Sequence, residues 1–526
     1  MILQRFAGRI SAHSAVSLGV ALAIVTCLFV ALSADAGATS KKRAKQHKHG
    51  SHKQHKHGPH KPHKHGPHKP APEPDPLGAK CSGSDIVGFG TSTQSIAQEV
   101  WFGFWRTHTS PTKTRGCGYR AKQNIDYYAD DTHDGGLRIG PGAFGPGNPA
   151  RFTTADNAPT PAERQWLEGN ASVAGPARLA TVPAAQSALV VVANFPKHCE
   201  LPTGDPDLAP YARFRLSNER LATAWFGDQT YDQWGELLPG IQAIPGNRSG
   251  RTDVSCKQQP VLRVVPPAQE QQTRQFKTFV QYAAPTLDWH SSFAGSTWPN
   301  PTNVRKAFGS SARDRAHTLL ATPGSIAYLD LATARVKGLQ KRPSHSGVGA
   351  EYVYQDSNRF DGYPAYGKKY SFYEQTFWIP LEAATTTGYS GSGQFVEPTI
   401  DRLSIRTGRR GANCRDTYYR GLPTHPSGRI NPLGDWSGAS TLLEPGAYPT
   451  CSLSYIAFWD DYADVYGQSV AERRKARTVK DFITTSLYSG QNILYRYDYA
   501  PLPVHDWQNI RFASQRAISL MSWKKP

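Results

Sequence analysis

From about residue 85 onward, apolar residues come in short bursts whose internal spacing switches between that of strands and that of helices. Asp85 to Gly90 is an apolar run closed by glycine, the length and punctuation of a buried strand. Gln94 to His108 then sets Ile96, Val100, Trp101, Phe104 and Trp105 on one helical face, with the tryptophans directed to a core. Ala188 to Ala193 (ALVVVA) is a second buried strand, closed by Asn194-Phe195-Pro196. A helix follows, with Ser217 or Asn218 as its cap, Glu219 in the first turn and Gly227 just past its end. Val261 to Val265 predicts a strand, about 270–283 a helix, and Ile326 to Leu329 another strand. Thr478 to Tyr488 predicts a helix that buries Val479, Phe482, Ile483 and Leu487 and stops at Gly490. Strands and helices in alternation are the order of an α/β protein.

The 526 residues are too many for one compact core, so two or more lobes are expected. Residues 336–447 are rich in Gly, Ser, Thr and Tyr without clear periodicity, and predict an irregular insertion or a set of β-hairpins. The first 36 residues read as a secretion signal: Arg5 and Arg9 precede the apolar run Leu18 to Leu32, and Ala34-Asp35-Ala36 offers a cleavage site. The same segment, if uncleaved, is a membrane anchor. Residues 37–80 form a tail containing the octapeptide HKHGPHKP twice in tandem, from His55. It has almost nothing apolar to bury and predicts a disordered spacer. Its lysines suit an anionic wall polymer or membrane surface, and His55, His57, His63 and His65 are candidates for weak metal binding.

The formal charge of +19 is uneven. Ten Lys or Arg and no acid fall in residues 41–70, and Arg5, Arg9 and Asp35 add one more positive charge, so residues 71–526 carry only +8. No aromatic-basic RNA motif or zinc finger accompanies that balance, and nucleic acid is not an expected partner. Cys27 lies inside the apolar run, which leaves Cys81, Cys117, Cys199, Cys256, Cys414 and Cys451. An even number without CxxC spacing, in an exported chain, favours disulfides over a metal site. Neighbours in sequence suggest 81–117, 199–256 and 414–451, though other connectivities are open. GxSxG, P-loop, HExxH and DxDxDG patterns are absent. Gly140 to Gly145 fits GxGxxG by letters but contains proline and follows no strand signal.

Several segments resemble landmarks of the phosphate-binding proteins of ABC transporters. Val87-Gly88-Phe89-Gly90-Thr91-Ser92 is similar to that family's first strand-to-helix turn. Ile125 to Tyr128 with Thr132-His133-Asp134-Gly135-Gly136 is similar to its second, and Phe152 to Pro159 (FTTADNAP) to the segment with the ligand aspartate. Leu189 to Pro196 resembles a strand crossing between lobes, and Leu216 to Leu237, with Phe226-Gly227 and Trp234, its helix-Gly-Trp pattern. Leu262 to Val265 resembles the strand with the ligand arginine, Pro323 to Tyr328 its GSIGY strand, and Tyr499 to Pro503 its C-terminal crossing. The resemblance implies a two-lobed type II periplasmic binding protein fold with mixed sheets flanked by helices. Lobe 1 would be 81–195 plus 448–526, and lobe 2 would be 196–447 with the insertion. It also implies a non-enzymatic, cofactor-free, secreted or surface protein that binds phosphate between its lobes and hands it to an ABC permease.

Such a site needs helix N-termini, hydroxyls, a guanidinium and one carboxylate that accepts the phosphate proton. Carried over, Ser92 with Thr91 supplies the first hydroxyl and N–H, and His133 with Asp134 the second turn. Asp156 is the carboxylate, with Asn157 as alternative, and Arg263 the guanidinium. One departure is plain. Where the family has Ser-Gly-Thr at a helix start, this chain reads Pro266-Pro267-Ala268-Gln269-Glu270-Gln271-Gln272-Thr273, which leaves Thr273 as the hydroxyl and brings an acid, Glu270, that would repel an anion if it faced the cleft. The ligand could therefore be phosphate, or a sugar or other polar solute taken by a surface or wall-associated protein that kept the fold and changed the site.

Overall fold

The computed structural model describes residues 75–523, apart from 108–115, 118–122, 130–137, 142–148, 172–176, 203–204, 210–212, 228, 247–248, 268–269, 288–296, 337–375, 386–390, 402–409, 415–416, 443 and 506–507. Residues 37–74 of the tail, with His55, His57, His63 and His65, and the pair His133 and Asp134 therefore lie outside the described residues. The last residues of the tail, 75–80, are described, with Leu77 buried in a core and Asp75 paired with Arg477.

In chain order the main elements are β1 (Ile86–Gly90), α1 (Ser95–Thr107), β2 (Ile125–Ala129), β3 (Phe152–Ala155), β4 (Leu179–Asn194), α2 (Asn218–Phe226), β5 (Leu262–Val265) and α3 (Gln271–Ala283). After them come β6 (Val304–Lys306), α4 (Ala312–Leu320), β7 (Ser325–Asp330), β8 (Thr376–Trp378), β9 (Cys451–Trp459), α5 (Val470–Leu487) and α6 (Ile510–Ser519). The nine strands form one mixed sheet in the order β6–β5–β7–β4–β9–β3–β1–β2, with β8 also pairing β4. The protein is thus mixed α/β, with a large sheet flanked by helices.

β4 organises the molecule. It is buried at all 16 positions. Its first part, Leu179 to Ala188, pairs antiparallel with β9, and its second, Leu189 to Asn194, with β7. The apolar pattern marks only the second part as a strand, because the first sets Leu179 and Val182 among Ala, Thr, Ser, Gln and Pro. Pro183 is tolerated there because the register with β9 shifts between Ser454 and Tyr455, a bulge where a missing ladder N–H costs little.

Two hydrophobic cores sit along this strand. One joins Leu179 to Ala185 with Trp101 and Trp105 of α1, Phe482 and Ile483 of α5, and Ile510 of α6. The other joins Ala188 to Ala193 with Trp225 of α2, Phe276 and Val280 of α3, Leu319 of α4 and Tyr328 of β7. α1 begins after a 3₁₀ turn, Ser92–Gln94. α2 is capped at Ser217, whose side chain accepts from Arg220 N, and ends on Gly227 at φ 74°. α5 is longer than its apolar stripe suggests, because Ser469 caps a polar first half by accepting from Glu472 N. In the insertion, the described residues form short hairpins such as Tyr418–Arg420 with Ser440–Leu442. β8 is the exception, since it joins the central sheet. Three disulfides link Cys81 to Cys117, Cys199 to Cys256 and Cys414 to Cys451. Among the described residues, no helix is long and apolar enough to cross a membrane.

Candidate functional site

β1 runs parallel to β3, with Gly88 opposite Phe152. The chain leaving their C-terminal ends therefore brings the Thr91 turn against Asp156, the position where open α/β sheets place ligands. Gly90, at φ 151°, makes the approach possible: a Cβ there would lie 2.1 Å from Thr154 Oγ1. Thr91 N instead donates to that oxygen at 3.2 Å.

Asp156 is only 4% exposed. The Thr91 hydroxyl donates to its Oδ1 at 3.1 Å, and the Thr93 hydroxyl to Oδ2 at 2.9 Å. Its backbone N–H and that of Asn157 both donate to Gln271 Oε1, the second at 2.8 Å. Gln275 Nε2 donates to Asp156 O at 2.6 Å. The start of α3, anchored in the second core, thus grips the Asp156 loop, anchored in the first.

Gln272 completes the closure. Its Nε2 donates to Thr93 Oγ1, and its Oε1 accepts from Arg315 Nη2. Arg315, on α4, is fully buried. Its Nε donates to Tyr328 O at 3.1 Å and its Nη1 to Ser310 O at 3.1 Å, and Nη1 also pairs with Glu270, the N-cap of α3. Asp330 lies 3.5 Å from Gln272 Nε2, and burial raises its carboxyl above the usual range. Three carboxyls and one guanidinium therefore converge here, and a further anion would enter against like charge.

The expected residues divide accordingly. Thr91 and Asp156 are together, and Ser92 opens the 3₁₀ turn between them and α1. Thr273 turns away: its hydroxyl bonds the Tyr328 hydroxyl inside the second core. Arg263 also lies elsewhere, turned to backbone carbonyls. It is 1% exposed and donates to the carbonyls of Trp225 at 2.8 Å, Pro299 at 3.0 Å and Asn300. Burial lowers its guanidinium to about 10, against the opposing pull of Asp232. Glu270 is buried beside the site, in the quarter where the sequence sets an acid. Thr93, Gln272 and Arg315 carry no sequence signal of their own. Arg315 is one basic residue in an ordinary amphipathic helix, aimed by the docking of α4 on β7.

Next to Asp156 lies a cavity of about 260 Å³, bounded by Asn157, by Arg274 and Gln275 of α3, and by Arg420 and Trp436 from the insertion.

The chain matches no family model and no curated protein. Among solved structures, a high-affinity periplasmic phosphate-binding protein bound with phosphate is 16% identical over 80% of this chain and 91% of its own, with a TM-score of 0.46. A human phosphate-binding apolipoprotein is 14% identical over 82% of this chain and 94% of its own, with a TM-score of 0.48. A phosphate-binding protein from Stenotrophomonas maltophilia is 12% identical over 82% and 93%, with a TM-score of 0.45. Likenesses of this size say nothing of the ligand of this chain.

Proposed function

We propose that the protein is an extracytoplasmic solute-binding protein of the two-lobed periplasmic-binding type, whose oxyanion cradle is filled by its own side chains. One observation carries the reading: Gln272 spans from Thr93 of the first core to Arg315 of the second, in the place where phosphate would need free donors. Glu270 neutralises Arg315, so the one guanidinium in the cradle already has its anion. Three disulfides support an oxidising compartment. The solute on this reading is not phosphate, and it sits in the neighbouring cavity.

The test is calorimetry on protein unfolded and refolded to strip ligand, titrated with phosphate and then sulfate. No saturable heat is expected up to roughly millimolar anion, where binding is worth only about 4 kcal/mol. Reopening the cradle with Glu270→Gln, Gln271→Ser and Gln272→Gly should restore measurable phosphate binding. Micromolar phosphate binding by the unaltered chain, lost in Asp156→Asn, contradicts the reading and returns the site to phosphate.

A further inference from the structure

We infer that the cavity beside Asp156 takes an acidic carbohydrate, meaning a sugar or polyol unit carrying a carboxylate or phosphate; the inference rests on the solute-binding reading above. The cavity measures about 260 Å³. That lies just under the roughly 300–1,000 Å³ of pockets for drug-sized ligands, and suits one sugar-sized unit.

Its lining carries more positive than negative charge. Arg274 and Arg420 line it, and Asp156 is the one carboxylate among the lining residues. Both oxygens of Asp156 already accept threonine hydroxyls. Among the described residues Arg274 makes no side-chain hydrogen bond or ion pair. Arg420 donates to Ser440 Oγ at 3.2 Å and lies 5.9 Å from the ring centre of Tyr282, with no carboxylate partner among the described residues. Two guanidiniums against a single carboxylate leave the lining net positive and favour an anion, and their planar forks fit carboxylate or phosphate.

The rest of the lining fits hydroxyls and C–H faces better than a bare ion. Arg274, Thr278 and Tyr282 follow at four-residue steps, so α3 turns one polar and aromatic stripe to the cavity while Phe276 and Val280 enter the core. The amide of Gln275, which donates to Asp156 O and accepts from Ser452, the amide of Asn157, which donates to Gln271 O, and the hydroxyl of Ser437 make the rest of the wall neutral and polar. Tyr282 is 47% exposed and offers a ring face. Inorganic phosphate has no apolar face to set against that ring, whereas a sugar acid uses the guanidiniums, the neutral polar groups and the ring.

Calorimetry on the full chain, with glucuronate and glucose 6-phosphate as probes and glucose, inorganic phosphate and sulfate as controls, tests this. At least one acidic sugar should give saturable heat, with glucose roughly ten-fold or more weaker. Arg274→Gln and Arg420→Gln, both surface changes, should each weaken the acidic sugar by roughly ten-fold. Arg305→Gln, an equal loss of charge on the exposed edge strand β6, should not. Silence from both acidic sugars, glucose binding equal to theirs, or wild-type affinity in both arginine variants overturns the inference. If phosphate is silent as well, the self-filled cradle still stands. Phosphate heat that depends on Asp156 sinks the cradle reading instead.

Discussion

At the scale of single residues, Arg263 is the sharpest lesson. Its neighbours in sequence resemble a ligand-arginine strand, yet its guanidinium caps the C-terminal end of α2, where a positive charge is favoured. Gly227 makes the room, for a Cβ there would lie 2.6 Å from Arg263 Nη2. Arg263→Met leaves three buried carbonyls without donors and should cost roughly 2–5 kcal/mol of stability. Gly227→Ala, at φ 74°, should cost about 1 kcal/mol or more. Urea midpoints check both, and neither change should alter solute binding in the cavity. Asp156 was legible in the sequence because a short strand fixes the loop that follows it. The target of a long arginine side chain was not, since it depends on carbonyls as far away as Asn300.

At the scale of elements, α3 serves both the site and the core. Its first turn closes the cradle, and further along Lys277 is buried, with Nζ donating to Thr297 O at 2.6 Å and lying 4.4 Å from the ring centre of Trp298. Burial lowers this amine from 10.5 to about 8. Between those values the unfolded chain holds a proton that the folded one has lost, so stability rises with pH through that window. Below it both states are charged and the dependence vanishes. Urea midpoints near pH 7 and near pH 10 should show the rise, and Lys277→Met should remove that share of it; an identical rise in the variant would show that other groups produce it. The helix itself is readable from its amphipathic spacing. The pairing of Gln272 with Thr93 and Arg315 is not, because glutamine at a helix start is ordinarily a solvated residue.

At the scale of the whole molecule, β4 belongs to both cores. Neither core can melt while the other keeps its share of that strand, so calorimetric unfolding should show one endotherm. Val182→Ala in the first core and Val191→Ala in the second should both lower that same transition, each by about 1–3 kcal/mol. Two endotherms moved separately by the two changes would mean that the cores melt independently.

Sequence by itself determined the α/β order, a cap at Ser217 or Asn218 and the stop at Gly227, the position of Asp156 at a strand end, and the acid at the head of α3. These are local: period, cap and turn chemistry act within a few residues. Only the tertiary structure decided that β4 continues back to Leu179, that Arg263 faces a helix end, and that Gln272 joins Thr93 to Arg315. Each depends on two surfaces brought together by packing, where the reach of a side chain and the lack of water settle which polar group it satisfies.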